Sequence, residues 1–319
     1  MTEAERKQII ALVQREVVPA IGCTEPIAVA LCVAKATETL GAKPEKIDVL
    51  LSANILKNAM GVGIPGTGMI GLPIAIALGA LIGKSEYQLE VLKDSNPAAV
   101  EEGKRFIGEK RIDISLKKNI TEKLYIEVCC KSGGNKATAI IAGGHTTFIY
   151  IARNGDVLLN KQSAGCGEEE AQVAGLTLRK VYDFAMNAPL DEIRFILETA
   201  RLNKAAAERS FDGNYGHGLG RMLRGNYEHK ILGDSVFSHI LSYTSGACDA
   251  RMAGAMIPVM SNSGSGNQGI SATLPVLVYA EENGKSEEEL IRALMLSHLT
   301  VIYITVSYTH LTLPTSDLV

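Results

Sequence analysis

The sequence contains no tryptophan, and aromatic residues make up only 5% of it. A surface built to stack nucleic-acid bases needs such rings, so that class of partner is excluded. Basic residues are not in excess either. The formal net charge is -3, whereas a nucleic-acid or anionic-membrane partner demands a basic face. Long apolar runs are also missing. No charge occurs between Lys57 and Lys84, but the first half of that stretch is glycine-rich and holds Pro65. Its continuous apolar part, Met69 to Ile82, is too short to cross a bilayer and reads as a buried helix. The charged segment Met1 to Lys7 leads into no apolar run, so no secretory leader is expected. The cysteines (Cys23, Cys32, Cys129, Cys130, Cys166 and Cys248) include no C-x-x-C or C-x-x-x-H spacing. That usage points to reduced thiols in a cytoplasmic protein, not to a disulfide framework or a zinc ribbon. What remains is a small-molecule protein of 319 residues, 46% of them hydrophobic, enough for buried cores.

Periodicity divides the chain. Residues 2–17 place Ile9, Ile10, Leu12, Val13 and Val17 on one helical stripe. After a break at Pro19 to Gly22, a second helix is expected from Pro26 to about Leu40, with Thr24 as N-cap and Pro26 in the first turn. Residues 46–51 read as a strand, a glycine-rich loop follows, and 97–107 are helical. From Arg111 to Lys161 strands dominate. Segments 123–131 and 137–142 flank Gly133-Gly134-Asn135, and 146–152 and 157–160 flank Asn154-Gly155-Asp156, two hairpin signals. Beyond Glu168 helical periodicity returns, in 168–186, 190–208, 231–244, 268–283 and 286–304. The expected fold class is α+β, with a mixed α/β unit (44–165) inserted in a mainly helical catalytic unit (1–43 plus 166–305). Residues 306–319 are rich in threonine and poor in helix propensity. They resemble translated sequencing adapter, and are expected to be non-native read-through.

Several residues have the right chemistry for a site. Cys23 lies just before a helix start, where free amides and the helix dipole favour a thiolate. Such a thiol is a nucleophile, an iron ligand or a buried structural cysteine; Cys32, inside an apolar helix, fits the last description. The loop Asn58 to Gly68 lets backbone approach a ligand or simply turns before a buried helix, and it carries no phosphate-binding fingerprint. In Ser261-Asn262-Ser263-Gly264-Ser265-Gly266-Asn267-Gln268-Gly269, small polar side chains precede an apolar helix, a place suited to a carboxylate or phosphate. A flexible linker is the alternative, but the flanks are strongly apolar. His145 and His217 each read as either a turn residue or a base. Cys166, at the junction of the two units, is functional or merely small. Cys129 and Cys130 are adjacent in a strand and must point to opposite faces, so they cannot serve one site together.

The runs Gly22-Cys23-Thr24-Glu25-Pro26, Asn54-Ile55-Leu56-Lys57-Asn58-Ala59, Ile64-Pro65-Gly66-Thr67, Ala142-Gly143-Gly144-His145-Thr146 and Ser261 to Gly269 together resemble the L-cysteine desulfidase family. That family is related to the iron–sulfur L-serine dehydratase alpha chain, and the resemblance covers residues 1 to about 305. It implies a lyase that uses a [4Fe–4S] cluster and no pyridoxal phosphate. Such an enzyme degrades L-cysteine to pyruvate, ammonia and sulfide, or dehydrates L-serine. By the same resemblance Cys23 is a cluster ligand, and Ser261, Asn262, Ser263, Gly264, Ser265, Gly266, Asn267 and Gln268 hold the substrate. Lys57 and His145 are the candidate bases. The family's other cluster cysteines lie beyond the point matched here, which implies an incomplete cluster and an inactive chain. The expected partner is a small amino acid, without nucleic acid or membrane, and a homodimer is the candidate oligomer. From another class, a non-catalytic amino-acid sensor would keep the Ser261–Gln268 pocket alone.

Overall fold

The computed structural model describes residues 1–120, 122, 124–161, 176–224 and 233–307. It opens with α1 (Glu3–Glu16), β1 (Pro19–Ile21), α2 (Thr24–Leu40), β2 (Lys46–Leu51), α3 (Ala53–Ala59), α4 (Leu72–Leu81) and α5 (Pro97–Gly108). Five strands follow: β3 (Ile112–Leu116), β4 (Tyr125–Ser132), β5 (Asn135–Ala142), β6 (Phe148–Arg153) and β7 (Asp156–Asn160). The remainder is α6 (Leu178–Asn187), α7 (Leu190–Ile193), α8 (Leu197–Asp212), α9 (Leu219–Met222), α10 (Val236–Met252), β8 (Pro258–Met260), α11 (Gly266–Glu282) and α12 (Glu287–Ser307). The class is α+β, as expected.

The larger sheet has the order β3-β2-β4-β5-β6-β7, antiparallel except for the parallel β2/β3 edge. Turn chemistry sets its register. Gly133 and Gly134 take φ of +53° and +80° between β4 and β5, and Asn154 and Gly155 take +52° and +100° between β6 and β7. These are the left-handed conformations that tight hairpins require. Alternation follows: Ile47, Val49 and Leu51 of β2 point into the core, and Cys130 is buried while its neighbour Cys129 is not.

Across that face lies α2, whose residues Ala28 to Ala34 are all fully buried. A helix apolar on every side must be covered on every side. The sheet covers one flank of α2 and α4 the other, with α5 packed behind α4. The α2/α4 crossing is close because Gly79 has no side chain; a Cβ there would stand 2.6 Å from the Ala30 carbonyl oxygen. Consequently α2 shares its core with the sheet. The expected boundary at residue 43 grouped it with the helical unit, and its packing runs the other way.

A second core joins α1, α6, α8, α10, α11 and α12, centred on Phe184, Leu274, Leu294, Leu299 and Ile302. Thr2 and Glu5 start α1 with a reciprocal capping box. Several elements differ from expectation: the helix expected over 190–208 is divided into α7 and α8 by a 3-10 turn, Arg194–Ile196. Residues 53–59 form a helix, capped by Ser52, where a loop was expected. The helix expected over 231–244 is described over Val236–Met252, started by the Ser235 capping box, and residues 225–232 lie outside the described residues. The break at Pro19 is a strand, paired antiparallel with β8 in the register Pro19↔Met260, Ala20↔Val259, Ile21↔Pro258. The helix expected over 168–186 is described from Leu178, and its first part, like Cys166, lies outside the described residues. So do residues 308–319 of the expected read-through; α12 itself continues to Ser307.

Candidate active site

The two-stranded ribbon of β1 and β8 sets Ile21, just before Cys23, opposite Pro258 and Val18 opposite Ser261. Ser261 fixes this junction, donating to the Val18 carbonyl from its amide (2.9 Å) and its hydroxyl (2.6 Å). Gly22 then turns the chain with φ +80°, and Pro65 fills the space in which a Cβ would sit, 2.4 Å from Cγ. The loop carrying Pro65 docks on the end of α10: the Gly63 amide donates to the Met252 carbonyl (3.2 Å) and the Gly66 amide to the Gly254 carbonyl (3.1 Å). From the sheet, the β5–β6 turn delivers His145 against Gly264, where a Cβ would lie 2.4 Å from Nδ1. The separate motifs around Cys23, Pro65, His145 and Ser261 therefore meet at one place.

Cys23 is itself the N-cap of α2, since Thr24 already has helical geometry; the expected cap was one residue too late. Its thiol is 6% exposed and donates to Glu25 Oε2 at 3.0 Å. Burial, then the Glu25 carboxylate, pushes this thiol up to about 12, with the Arg251 cation opposing them. The expected thiolate is thus a neutral thiol, because one carboxylate and the loss of water outweigh the helix dipole. Burial also works against ionisation of Glu25, but the Cys23 thiol, its own backbone amide, His145 and the Thr24 hydroxyl together hold it below the usual carboxylate range. Asn58, on α3, reaches Glu25 Oε1 at 3.4 Å. Burial lowers His145, the Glu25 charge opposes that shift, and Arg251 reinforces it. A neutral imidazole therefore faces an ionised carboxylate and a guanidinium.

The Ser261–Gln268 run divides into supports and facing groups. Asn262 is fully buried and donates to both Nδ1 and the carbonyl of His298, each at 3.0 Å. Since an amide nitrogen only donates, His298 Nδ1 is the acceptor and Nε2 carries the proton, given to Thr273 Oγ1 at 2.9 Å. Thr273 in turn donates to the Gly269 carbonyl (2.7 Å). Asn203 completes the network, accepting from the Met260 amide (2.8 Å) and donating to Thr273 Oγ1 (3.0 Å). Ser263, at φ +48°, holds Asn262 Oδ1, and Ser265 caps α11 at the Gln268 amide. Gln268 reaches across to Thr305. Gly264, Gly266 and Asn267 are the members that meet side chains of the site: His145 for the first, Arg251 for the other two.

Arg251, His298 and Asn203 were not identified from sequence. Arg251 follows Ala247 and Ala250 at helical spacing, on the face that α10 buries, which is the signal that marks it. Lys57 sits on an exposed surface of α3, next to Asn58. His217 is exposed, its amide held by Asp249 Oδ1 at 3.2 Å.

An iron–sulfur cluster needs several cysteine thiolates gathered at one place. Among the described residues no three histidine, cysteine or acidic side chains gather in a metal-holding group. Cys32 donates to the Ala139 carbonyl (3.3 Å) beneath the sheet, Cys130 pairs with Thr37, and Cys248 packs in the helical core. The described residues thus supply one thiol, Cys23, and do not complete a cluster. No helix among them is long and apolar enough to cross a membrane.

A sequence profile described as serine dehydratase alpha chain matches residues 86–312. A UPF0597 protein of Bacteroides fragilis is 84% identical over 304 residues, covering 95% of this chain and 71% of the relative. One from Phocaeicola vulgatus is 75% identical over 305 residues (95% and 71%), and one from Chromobacterium violaceum 46% over 298 (93% and 69%). No solved structure matches.

Proposed function

The chain belongs to the serine dehydratase alpha chain family, and on that premise we propose that its site carries out β-elimination on a small amino acid. L-cysteine is the proposed substrate and L-serine the alternative. The observation that carries this reading is a neutral, half-buried His145 held beside the Ser261–Gln268 loop and within the field of Glu25 and Arg251.

The reaction needs a base for the α-proton and a route for the β-substituent. His145 is the proposed base: its lowered proton affinity keeps it unprotonated at neutral pH, the form that accepts a proton. Loss of that proton and of the β-thiol leaves sulfide and 2-aminoacrylate, which tautomerises and takes up water to give pyruvate and ammonia. From L-serine the leaving group is water. Glu25 stabilises the imidazolium that forms, by the attraction already acting between the two groups. The substrate loop is rigid before anything binds, because Ser261, Asn262 and Ser265 spend their polar atoms on the fold.

The family is generally iron–sulfur dependent. A cluster, when bound, supplies a Lewis-acidic iron, and Cys23 is the ligand proposed from this chain. The described donors do not by themselves complete such a site. Pyridoxal phosphate has no part in the proposal, and the proposed setting is the cytoplasm.

The test is anaerobic expression of this chain and of the longer Bacteroides fragilis relative, with pyruvate, ammonia and sulfide measured from L-cysteine, and pyruvate and ammonia from L-serine. Formation of these products by the relative, lost on substitution of the histidine equivalent to His145, supports the reading. Absence of turnover of both amino acids in both proteins, after iron and sulfide reconstitution, refutes it.

A further inference from the structure

Arg251 is 4% exposed, and a buried guanidinium keeps its charge. It forms no ion pair among the described residues. Nη1 donates to Asn267 Oδ1 at 2.9 Å and touches Met252 Sδ at 3.4 Å. Nε is buried with no hydrogen-bond partner among those residues. The edge formed by Nε and Nη2, the fork that takes a carboxylate side-on, is thus unused among the described residues. An uncompensated cation at this depth costs several kcal/mol, so it is kept where an anion arrives.

Its position points the same way. The guanidinium lies against the first residue of α11: a Cβ on Gly266 would stand 2.2 Å from Nε and 2.8 Å from Cζ. Helix α11 runs for 17 residues, and its first-turn amides have no partner within the helix. A positive helix end and a buried cation therefore face one spot, on the side from which Cys23 and His145 both feel the Arg251 charge.

We infer that Arg251 and the N-terminus of α11 form the subsite for the α-carboxylate of the amino-acid substrate; the identity of that ligand rests on the lyase reading above. A carboxylate there takes the free guanidinium edge and the Gly266 and Asn267 amides. It presents the α-carbon toward His145 and the β-substituent toward Cys23.

The test uses the full chain and calorimetric titration with L-alanine and L-alaninamide. Neither has a β leaving group, so binding is read whether or not the protein turns over. L-alanine is expected to bind about ten- to a hundredfold more tightly than the amide, the range for losing a hydrogen bond to a charged group. Arg251→Gln is expected to remove that advantage and leave L-alaninamide unchanged. Since a core substitution can unfold the protein, Asn267→Asp provides a second variant. It leaves Arg251 in place but sets a carboxylate at the atom 2.9 Å from Nη1, and should weaken L-alanine by the same factor with an undiminished melting temperature. Equal affinity for the two ligands, no binding of L-alanine, or full L-alanine affinity in either folded variant overturns the assignment. Failure of the lyase reading alone looks different: L-alanine still binds and responds to both variants, yet neither L-cysteine nor L-serine yields pyruvate.

Discussion

Acidification probes the buried network beneath the Ser261–Gln268 loop. His298 is fully buried, accepts from Asn262 at Nδ1 and donates to Thr273 at Nε2, so both ring nitrogens are committed in the neutral form. Adding a proton at Nδ1 sets it against the Asn262 amide, and burial alone lowers His298 from 6.5 to about 4. An unfolded histidine titrates near its ordinary value, so the unfolded chain binds this proton first as pH falls. The penalty is absent above pH 6.5, grows through the window from 6.5 to 4, and is complete below it. With each unit of difference equal to about 1.4 kcal/mol, His298 alone should destabilise the fold by roughly 3 kcal/mol at pH 4 relative to pH 7. The measurement is urea unfolding across that range for the wild-type protein and for His298→Gln, which can accept and donate but not titrate. Glu25, His145 and His239 also shift, but they are common to both proteins and cancel in the difference. The wild-type protein should lose about 3 kcal/mol more than the variant, and its His298 NMR resonance should not titrate above about pH 5. Parallel pH profiles for the two proteins would refute a buried, neutral His298.

Close backbone approaches give sharper structural tests. Gly269→Ala would place a Cβ 2.0 Å from the Met260 carbonyl oxygen, and should cost upwards of about 3 kcal/mol in thermal or denaturant unfolding; a variant as stable as wild type would contradict the packing of α11 on β8. Gly79→Ala, 2.6 Å from the Ala30 oxygen, should cost roughly 1–3 kcal/mol by separating α2 from α4, and an unchanged melting temperature would show that the crossing is looser than described. Cys23 should resist iodoacetamide at pH 8: a thiol moved from 9.0 to about 12 presents about a thousandfold less thiolate. Peptide mass spectrometry would show it, with half-exposed Cys129 labelled first; rapid labelling of Cys23 in the native protein would rule out its burial against Glu25.

The parts of this fold that were legible in sequence are those in which neighbours in the chain decide the outcome. Gly133-Gly134 and Asn154-Gly155 fix their hairpins through local backbone conformation, and β2 falls on the residues expected for it. The ribbon of β1 and β8 was invisible, since three-residue strands carry no periodicity and the partner is remote in sequence. Helix α3 was obscured by the glycine-rich run after it, although Ser52 offers an ordinary N-cap. The charge of Cys23 was not legible, because its ionisation depends on burial and on Glu25. Arg251 was missed for the related reason that its neighbours, Gly266 and Asn267, come from another element.

The ribbon also sets the order in which the molecule can mature. Pro19–Ile21 leaves the ribosome long before Pro258–Met260, yet each is the other's only strand partner in that ribbon. Strands β4 to β7 pair with near neighbours and close short loops, so they can associate while synthesis continues. The ribbon closes a loop over most of the chain, and closure of so long a segment is entropically the dearest contact to make early. Val18 and the Ser261 loop thus come together only after translation has passed the start of α11. The nascent sheet acquires its shape first, and the candidate site is completed last.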